Sequence, residues 1–293
     1  MRVAVLRSAD RAGAFVTEIR NAGHTPVVCP LIDFEFPAST TAIDSSLSRW
    51  LAGEFDAAIF TSITTVRALK QRAFALDGLD ASGESSSWKR PAGQLVAVGD
   101  PTRRALEAEG FTVDRMPAEE QSAQGILALL AQEPLRSADG FAARVFLPHA
   151  NLADPALERG LQELGYEVEA VDAYLTVDAP ADHARRITAP LKVASAGAGG
   201  VVLEESTQLE PQELAQQARE GSLDAVLLTS PSIARKFAEL VGEIPHSMQL
   251  VAIGKSTGAE IERLGLRLAG IAERPDAASM MAVLTKDVKT KNS

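Results

Sequence analysis

Two separated stretches of this chain occur twice. Phe55 to Leu69 (FDAAIFTSITTVRAL) returns as Leu223 to Phe237 (LDAVLLTSPSIARKF), and Gln94 to Gly110 (QLVAVGDPTRRALEAEG) returns as Gln249 to Gly265 (QLVAIGKSTGAEIERLG). The opening, Arg2 to Phe34, aligns more weakly but without a gap on Arg144 to Thr176, placing Gly23 on Gly165. One supersecondary unit has been used twice, at a spacing far longer than the roughly 20–50 residues of solenoid repeats. Such a chain is constrained to form two like halves, and the working site is expected between the copies.

The length of 293 residues agrees with two domains. A chain 46% apolar and 23% charged is ordinary for a soluble globular protein. No apolar run reaches the ~18–20 residues that span a bilayer, and MRVAVLRSAD is too short an apolar run for a signal peptide. The single cysteine, Cys29, excludes an intramolecular disulfide and a cysteine-rich metal site. A cytoplasmic protein without a membrane partner is expected. With 39 acidic against 29 basic residues, the formal charge is −10, which argues against nucleic acid as the main partner. An acidic chain can still bind an anionic small molecule through backbone amides and a few local cations.

Along the chain, short apolar strands alternate with turns and helices, which predicts an α/β fold with parallel sheets. Strands are expected at Val3–Leu6, Val27–Leu31, Ala57–Phe60, Leu95–Val98, Val145–Leu147, Ala225–Leu228 and Leu250–Ile253. A helix over Asp10–Ala22 would bury Phe15, Val16 and Ile19 and stop at Gly23. Thr61 and Ser62 read as helix caps, Asp100 and Asp154 as caps followed by Pro101 and Pro155 at the first helical position. Asp77–Gly93 and Ala194–Gly200 read as surface insertions, and residues 286–293 as a frayed polar tail.

The ordered series LIDFEF (Leu31–Phe36), IFTS (Ile59–Ser62), VAVG (Val96–Gly99), FLPHANL (Phe146–Leu152), DAYLTV (Asp172–Val177), LLTSPS (Leu227–Ser232) and VAIGKST (Val251–Thr257) resembles the uroporphyrinogen-III synthase family over roughly Arg2 to Leu284. No single string is diagnostic; their order, spacing and paired repeats carry the likeness. The resemblance implies two flavodoxin-like α/β domains with parallel sheets, joined by a two-stranded antiparallel linker, the duplication being crossed over. The repeats alone would cut the chain near Ala138 into tandem copies. The resemblance instead implies residues 1–30 plus 180–285 as one discontinuous domain, 37–173 as the other, and 31–36 with 174–179 as linkers. A hinge at the linkers would follow.

The implied reaction cyclises hydroxymethylbilane, a linear tetrapyrrole, to uroporphyrinogen III. The terminal hydroxyl leaves as water to give an azafulvene, the substituted ring-D carbon attacks it, and a spiro-pyrrolenine then fragments and recloses with ring D inverted. Nothing is oxidised and no group is transferred, so no cofactor or metal is expected. The chemistry asks for a hydrogen-bond donor or acid near the leaving hydroxyl, a folded geometry for a flexible chain, and contacts for eight carboxylates.

Helix starts suit the last demand, because each offers unpaired amides and partial positive charge. Thr61 and Ser62, Gly99 with Thr102, Asn151, Thr229, Ser230 and Ser232, and Gly254 with Ser256 and Thr257 all follow expected strands and are the candidate substrate-binding residues. The same side chains serve equally as plain caps. Tyr174 is the candidate acid, matching a tyrosine of the family's second linker; a phenol is protonated at neutral pH and can donate. The alternative is a linker tyrosine packed on a strand face.

His24, His149, His183 and His246 form no metal spacing and read as surface or structural residues. Cys29, in an apolar strand, reads as inert. Arg7 could meet a carboxylate or form an exposed ion pair. Many family members carry Arg-Gly where this chain has Pro148-His149-Ala150, which removes a basic contact near Asn151. The resemblance further implies a monomer with transient contact to hydroxymethylbilane synthase. The alternative function is a non-catalytic two-domain tetrapyrrole-binding relative. A periplasmic-type binding protein would need a secretion signal, and a glycosyltransferase a nucleotide-diphosphate site; neither is found.

Overall fold

The computed structural model describes residues 1–77, 88–137, 140–189, 191 and 206–291. The chain divides into two compact units. Unit 1 holds Met1–Asp33, Asp178–Pro180 and the C-terminal residues from 206 on; unit 2 holds Phe34–Val177 and the described residues of 181–191.

Unit 2 contains β3 (Ile32–Glu35, shared with unit 1 at its first residues), α2 (Thr41–Leu51), β4 (Ala57–Phe60), α3 (Ile63–Asp77), β5 (Gln94–Ala97), α4 (Asp100–Ala108), α5 (Ala123–Gln132), β6 (Arg144–Ala150), α6 (Ala156–Glu163) and β7 (Glu167–Asp178). Its sheet has the order β3-β7-β6-β4-β5, with β5, β4, β6 and β7 parallel. Unit 1 contains β1 (Arg2–Val5), α1 (Ala9–Asn21), β2 (Thr25–Val28), β8 (Thr207–Gln208), α7 (Pro211–Arg219), β9 (Ala225–Leu228), α8 (Pro231–Val241), β10 (Gln249–Ala252), α9 (Lys255–Arg263), β11 (Leu268–Ile271) and α10 (Ala277–Lys291). Its parallel sheet runs β11-β10-β9-β1-β2-β8.

The two orders are one order. β5-β4-β6-β7 in unit 2 corresponds to β10-β9-β1-β2 in unit 1, with each equivalence fixed by the sequence repeats. The duplication is therefore crossed over: β1 and β2, at the start of the chain, complete the sheet begun by β9 and β10. Strands buried on both faces read as unbroken apolar runs, and β4 and β9 are buried at all four residues each.

Helices cover both faces. In unit 2, α2, α3 and α4 pack on one face and α5 and α6 on the other. In unit 1, α7, α8 and α9 pack on one face, α1 and α10 on the other. Phe15, Val16 and Ile19 of α1 are buried as the spacing predicts, and Gly23 takes φ +75 after it.

A duplicated latch ties the amino ends of the sheets. Asp56 Oδ2 accepts from Arg144 N at 2.8 Å, and its repeat mate Asp224 accepts from Arg2 N at 2.6 Å. Arg144 and Arg2 are themselves repeat mates, so part of the sequence repetition is structural.

Two expectations are corrected. Residues 78–87 of the expected Asp77–Gly93 insertion lie outside the described residues, but Trp88 is core: it is buried against Trp50 and Phe111. Its indole donates to buried Glu109, so a polar neighbourhood in sequence hid a packed side chain. The expected tail from Lys286 continues α10 to Lys291, because no glycine or proline interrupts it. The Ala194–Gly200 segment and the Ala138 cut lie outside the described residues. No helix among the described residues is long and apolar enough to cross a membrane.

Candidate active site

The candidate residues lie where strands hand over to helices. Ser62 precedes α3, and its Oγ accepts from Thr65 N at 3.0 Å; Ser230 precedes α8, and its Oγ accepts from Ile233 N at 3.2 Å. The repeated serine is thus a repeated cap. Thr61 and Thr229 occupy the preceding positions, half-buried, and neither provides the cap hydrogen bond. Ser232 is exposed, with Oγ 3.0 Å from Ser230 Oγ.

The second pair is closer still. Gly99 caps α4 at φ −168, ψ 174, and Gly254 caps α9 at φ −169, ψ 176. Asp100, expected as a cap, is instead the first helical residue, and its amide donates to Gln121 Oε1 at 3.2 Å. Arg103, then Arg104, hold the Asp100 carboxyl below its ordinary range. Thr102 and Thr257 are buried at 4% and 1% exposure, so their hydroxyls pack inside these helices' first turns. Ser256 is exposed. Around the two glycines the copies differ: a Cβ on Gly99 would meet Gln121 Oε1 at 2.5 Å, whereas on Gly254 it would meet open space.

Asn151 is not at a helix start. The helix begins at Ala156, after Asp154 accepts from Ala156 N at 2.9 Å. Asn151 instead lengthens the ladder between β6 and β7: its N donates to Tyr174 O at 3.1 Å, and its Oδ1 accepts from Thr176 N at 2.9 Å.

Tyr174 lies on β7, 6% exposed, with its ring edge-on to Phe34 at 5.5 Å and its hydroxyl 3.1 Å from Ser62 Oγ. The strand is irregular just before it: His149 pairs with Asp172, but Ala150 pairs with Tyr174. One extra residue, Ala173, is taken up there, and Ala173 and Tyr174 are buried in succession. Such bulges re-aim side chains, and this one turns Tyr174 toward the α3 cap.

Beside these residues a cavity of ≈ 310 Å³ opens in unit 2, lined by Thr61, Val98, Ala123, Leu147, His149, Ala153, Asp154, Pro155, Leu157 and Glu158. It sits at the carboxyl ends of β4, β5 and β6. The chain runs from β4 to β5 on one side, then returns to β6 on the other, which is the switch point where open α/β sheets bind ligands. Its walls are apolar, and its polar rim carries Asp154 and Glu158 with His149.

His149 carries no signal in the sequence; only its partner Asp172, in register on β7, distinguishes it, and that pairing depends on the fold. Cys29 is buried, and burial, then Glu210 and Glu213, push its thiol up to about 12. Arg7 lies over the Phe15 ring at 5.5 Å. Among the described residues no group of three or more His, Cys, Asp or Glu could hold a metal ion.

Duplicated α/β units with capped helix starts along the carboxyl edge of each sheet define a protein class that takes small ligands at its strand ends. The comparisons with known proteins make this specific. The family model for uroporphyrinogen-III synthase HemD matches residues 13–282. A Methanothermobacter thermautotrophicus protein, provisionally named a uroporphyrinogen-III synthase, is 28% identical over 290 residues, 96% of each chain. The uroporphyrinogen-III synthase of Chlorobaculum parvum is 25% identical over 296 residues, covering 98% of this chain and 99% of its own. A mutant uroporphyrinogen III synthase of Thermus thermophilus shares the fold at TM-score 0.57 and 19% identity, covering 99% of both chains. The chain belongs to the uroporphyrinogen-III synthase family, enzymes of tetrapyrrole biosynthesis.

Proposed function

We propose that this protein is a uroporphyrinogen-III synthase, a cyclising hydro-lyase that converts hydroxymethylbilane to uroporphyrinogen III with loss of water and inversion of ring D through a spiro-pyrrolenine. The family match over residues 13–282 carries the reading. The geometry is consistent with it: the helix starts beyond Ser62, Gly99, Ser230 and Gly254 carry partial positive charge, which suits the substrate's carboxylates. Tyr174 is assigned as the donor to the departing hydroxyl, with Ser62 as the partner that holds its phenol in place. The protein is expected to act as a cytoplasmic monomer on substrate delivered by hydroxymethylbilane synthase.

A coupled assay tests this. Hydroxymethylbilane is generated in situ, and the oxidised products are separated into uroporphyrin I and III. Dominant isomer III that depends on this protein supports the proposal. Isomer I alone, the product of spontaneous closure, from a folded sample makes the chain a binding relative.

A further inference from the structure

The unit 2 cavity holds a histidine that the reading above does not use. His149 Nδ1 lies 2.9 Å from Ala150 O and 3.4 Å from Asp172 Oδ1. Both partners can only accept, so Nδ1 carries the proton. In the neutral ring Nε2 is then an acceptor, and it makes no hydrogen bond among the described residues. Nδ1–H donates to the Ala150 carbonyl, and the Asp172 carboxylate on the neighbouring strand, 3.4 Å away, favours the proton on that nitrogen.

The surroundings decide what this acceptor is for. Asp154 and Glu158 face the same cavity from the α6 start, and Asp172 stands behind the ring; the facing elements β4, β5 and α5 contribute only Thr61, Val98 and Ala123. Carboxylates beside the imidazole and along the same cavity favour positive charge here. An apolar-walled space of ≈ 310 Å³ has room for a single pyrrole ring, whose N–H is a donor.

We propose that His149 is a catalytic residue that accepts the N–H of the substrate pyrrole bearing the hydroxymethyl group, and that this acidic cavity stabilises the cation formed when water leaves. The inference rests on the synthase reading. In the step, the C–O bond breaks and its electron pair leaves on oxygen, which takes one proton from the acid and departs as water. The pyrrole nitrogen's lone pair completes a C=N bond, giving an azafulvenium that keeps its N–H on His149 Nε2. Carbon–carbon bond formation from ring D then removes the positive charge from that ring. Asp172 is a positioning residue whose charge, 3.4 Å from Nδ1, favours the proton there.

The test uses the full chain in the coupled isomer assay. His149→Leu should lower kcat by about 10- to 100-fold, with KM changed much less. His149→Gln, which restores an acceptor, should recover part of kcat. Isomer III formation by His149→Leu with wild-type kcat overturns the proposal while leaving the synthase reading intact. Wild-type protein that yields only isomer I overturns both. Nitrogen-15 NMR of the wild-type ring provides a readout independent of variant folding: the Nδ1–H tautomer is expected, and the Nε2–H tautomer overturns the assignment.

Discussion

The Tyr174 hydroxyl lies 3.1 Å from Ser62 Oγ, and the same Oγ accepts from Thr65 N to cap α3. A residue assigned to chemistry and a residue assigned to helix capping therefore share one hydrogen-bonded group. Tyr174→Phe should cost about 1 kcal/mol of unit 2 stability, the net worth of one such bond. Ser62→Ala should cost about 1–3 kcal/mol, since it removes the cap and leaves a buried hydroxyl unpaired. The double variant should fall short of the sum by about 1 kcal/mol in urea unfolding, and strict additivity would refute the coupling. Isomer assays should show Tyr174→Phe slowed but still selective for isomer III.

The paired glycines separate binding from stability. Gly254→Ala places a methyl in open space at an extended φ that any residue adopts, so melting should be unchanged. If the α9 amides meet substrate, KM should rise several-fold. Gly99→Ala must displace Gln121, which accepts from Asp100 N at 3.2 Å, and should lower stability as well. Equal KM for wild type and Gly254→Ala would remove α9 from the binding surface.

Lys70 Nζ lies 2.9 Å from Glu109 Oε2, whose side chain is 0% exposed. Removing one partner of a buried pair strands the other's charge, so Lys70→Met should cost about 3–5 kcal/mol. Lys70→Met with Glu109→Leu should regain most of that loss. Both tryptophans, Trp50 and Trp88, belong to unit 2, so their fluorescence in urea follows this unit alone. A single variant as stable as wild type would contradict the account.

Asp276 caps α10, its Oδ1 accepting from Ser279 N at 2.7 Å. That backbone bond, then the Ser279 side chain and Arg274, hold its carboxyl below the ordinary range. A depressed carboxyl contributes stability above the unfolded value, near ~4, and loses it as pH falls through the folded value. Asp276→Ala should therefore melt unit 1 earlier at neutral pH, with the two melting curves converging in acid. A gap that persists in acid would assign the effect to packing.

Much of the architecture is legible in the residues because it is written twice. The repeats identify equivalent strands and helix starts, and apolar runs mark strands buried on both faces. What escapes is set by contacts across the sheet. The bulge at Ala173 comes from the β6–β7 register, so neither the burial of Tyr174 nor the meeting of His149 with Asp172 has a local signal. Asn151 looks like a helix start because it follows a strand, yet Asp154 and Pro155 delay the helix and free it to pair with Thr176. Trp88 is hidden by its polar neighbours, although its indole has a buried carboxylate to meet.

The crossover also sets a timetable for biosynthesis. Residues 34–177, the body of unit 2, emerge from the ribosome as one contiguous run and can fold as soon as they are made. β1 and β2 cannot, because the central neighbour of β1 is β9, more than 200 residues later. At roughly 5–20 residues per second, the apolar strands Val3–Val5 and Pro26–Val28 wait roughly 10–45 s for their partners. The latch between Arg2 and Asp224 can close only after Asp224 has been made, so β1 and β2 find their places after the body of unit 2 has had time to fold.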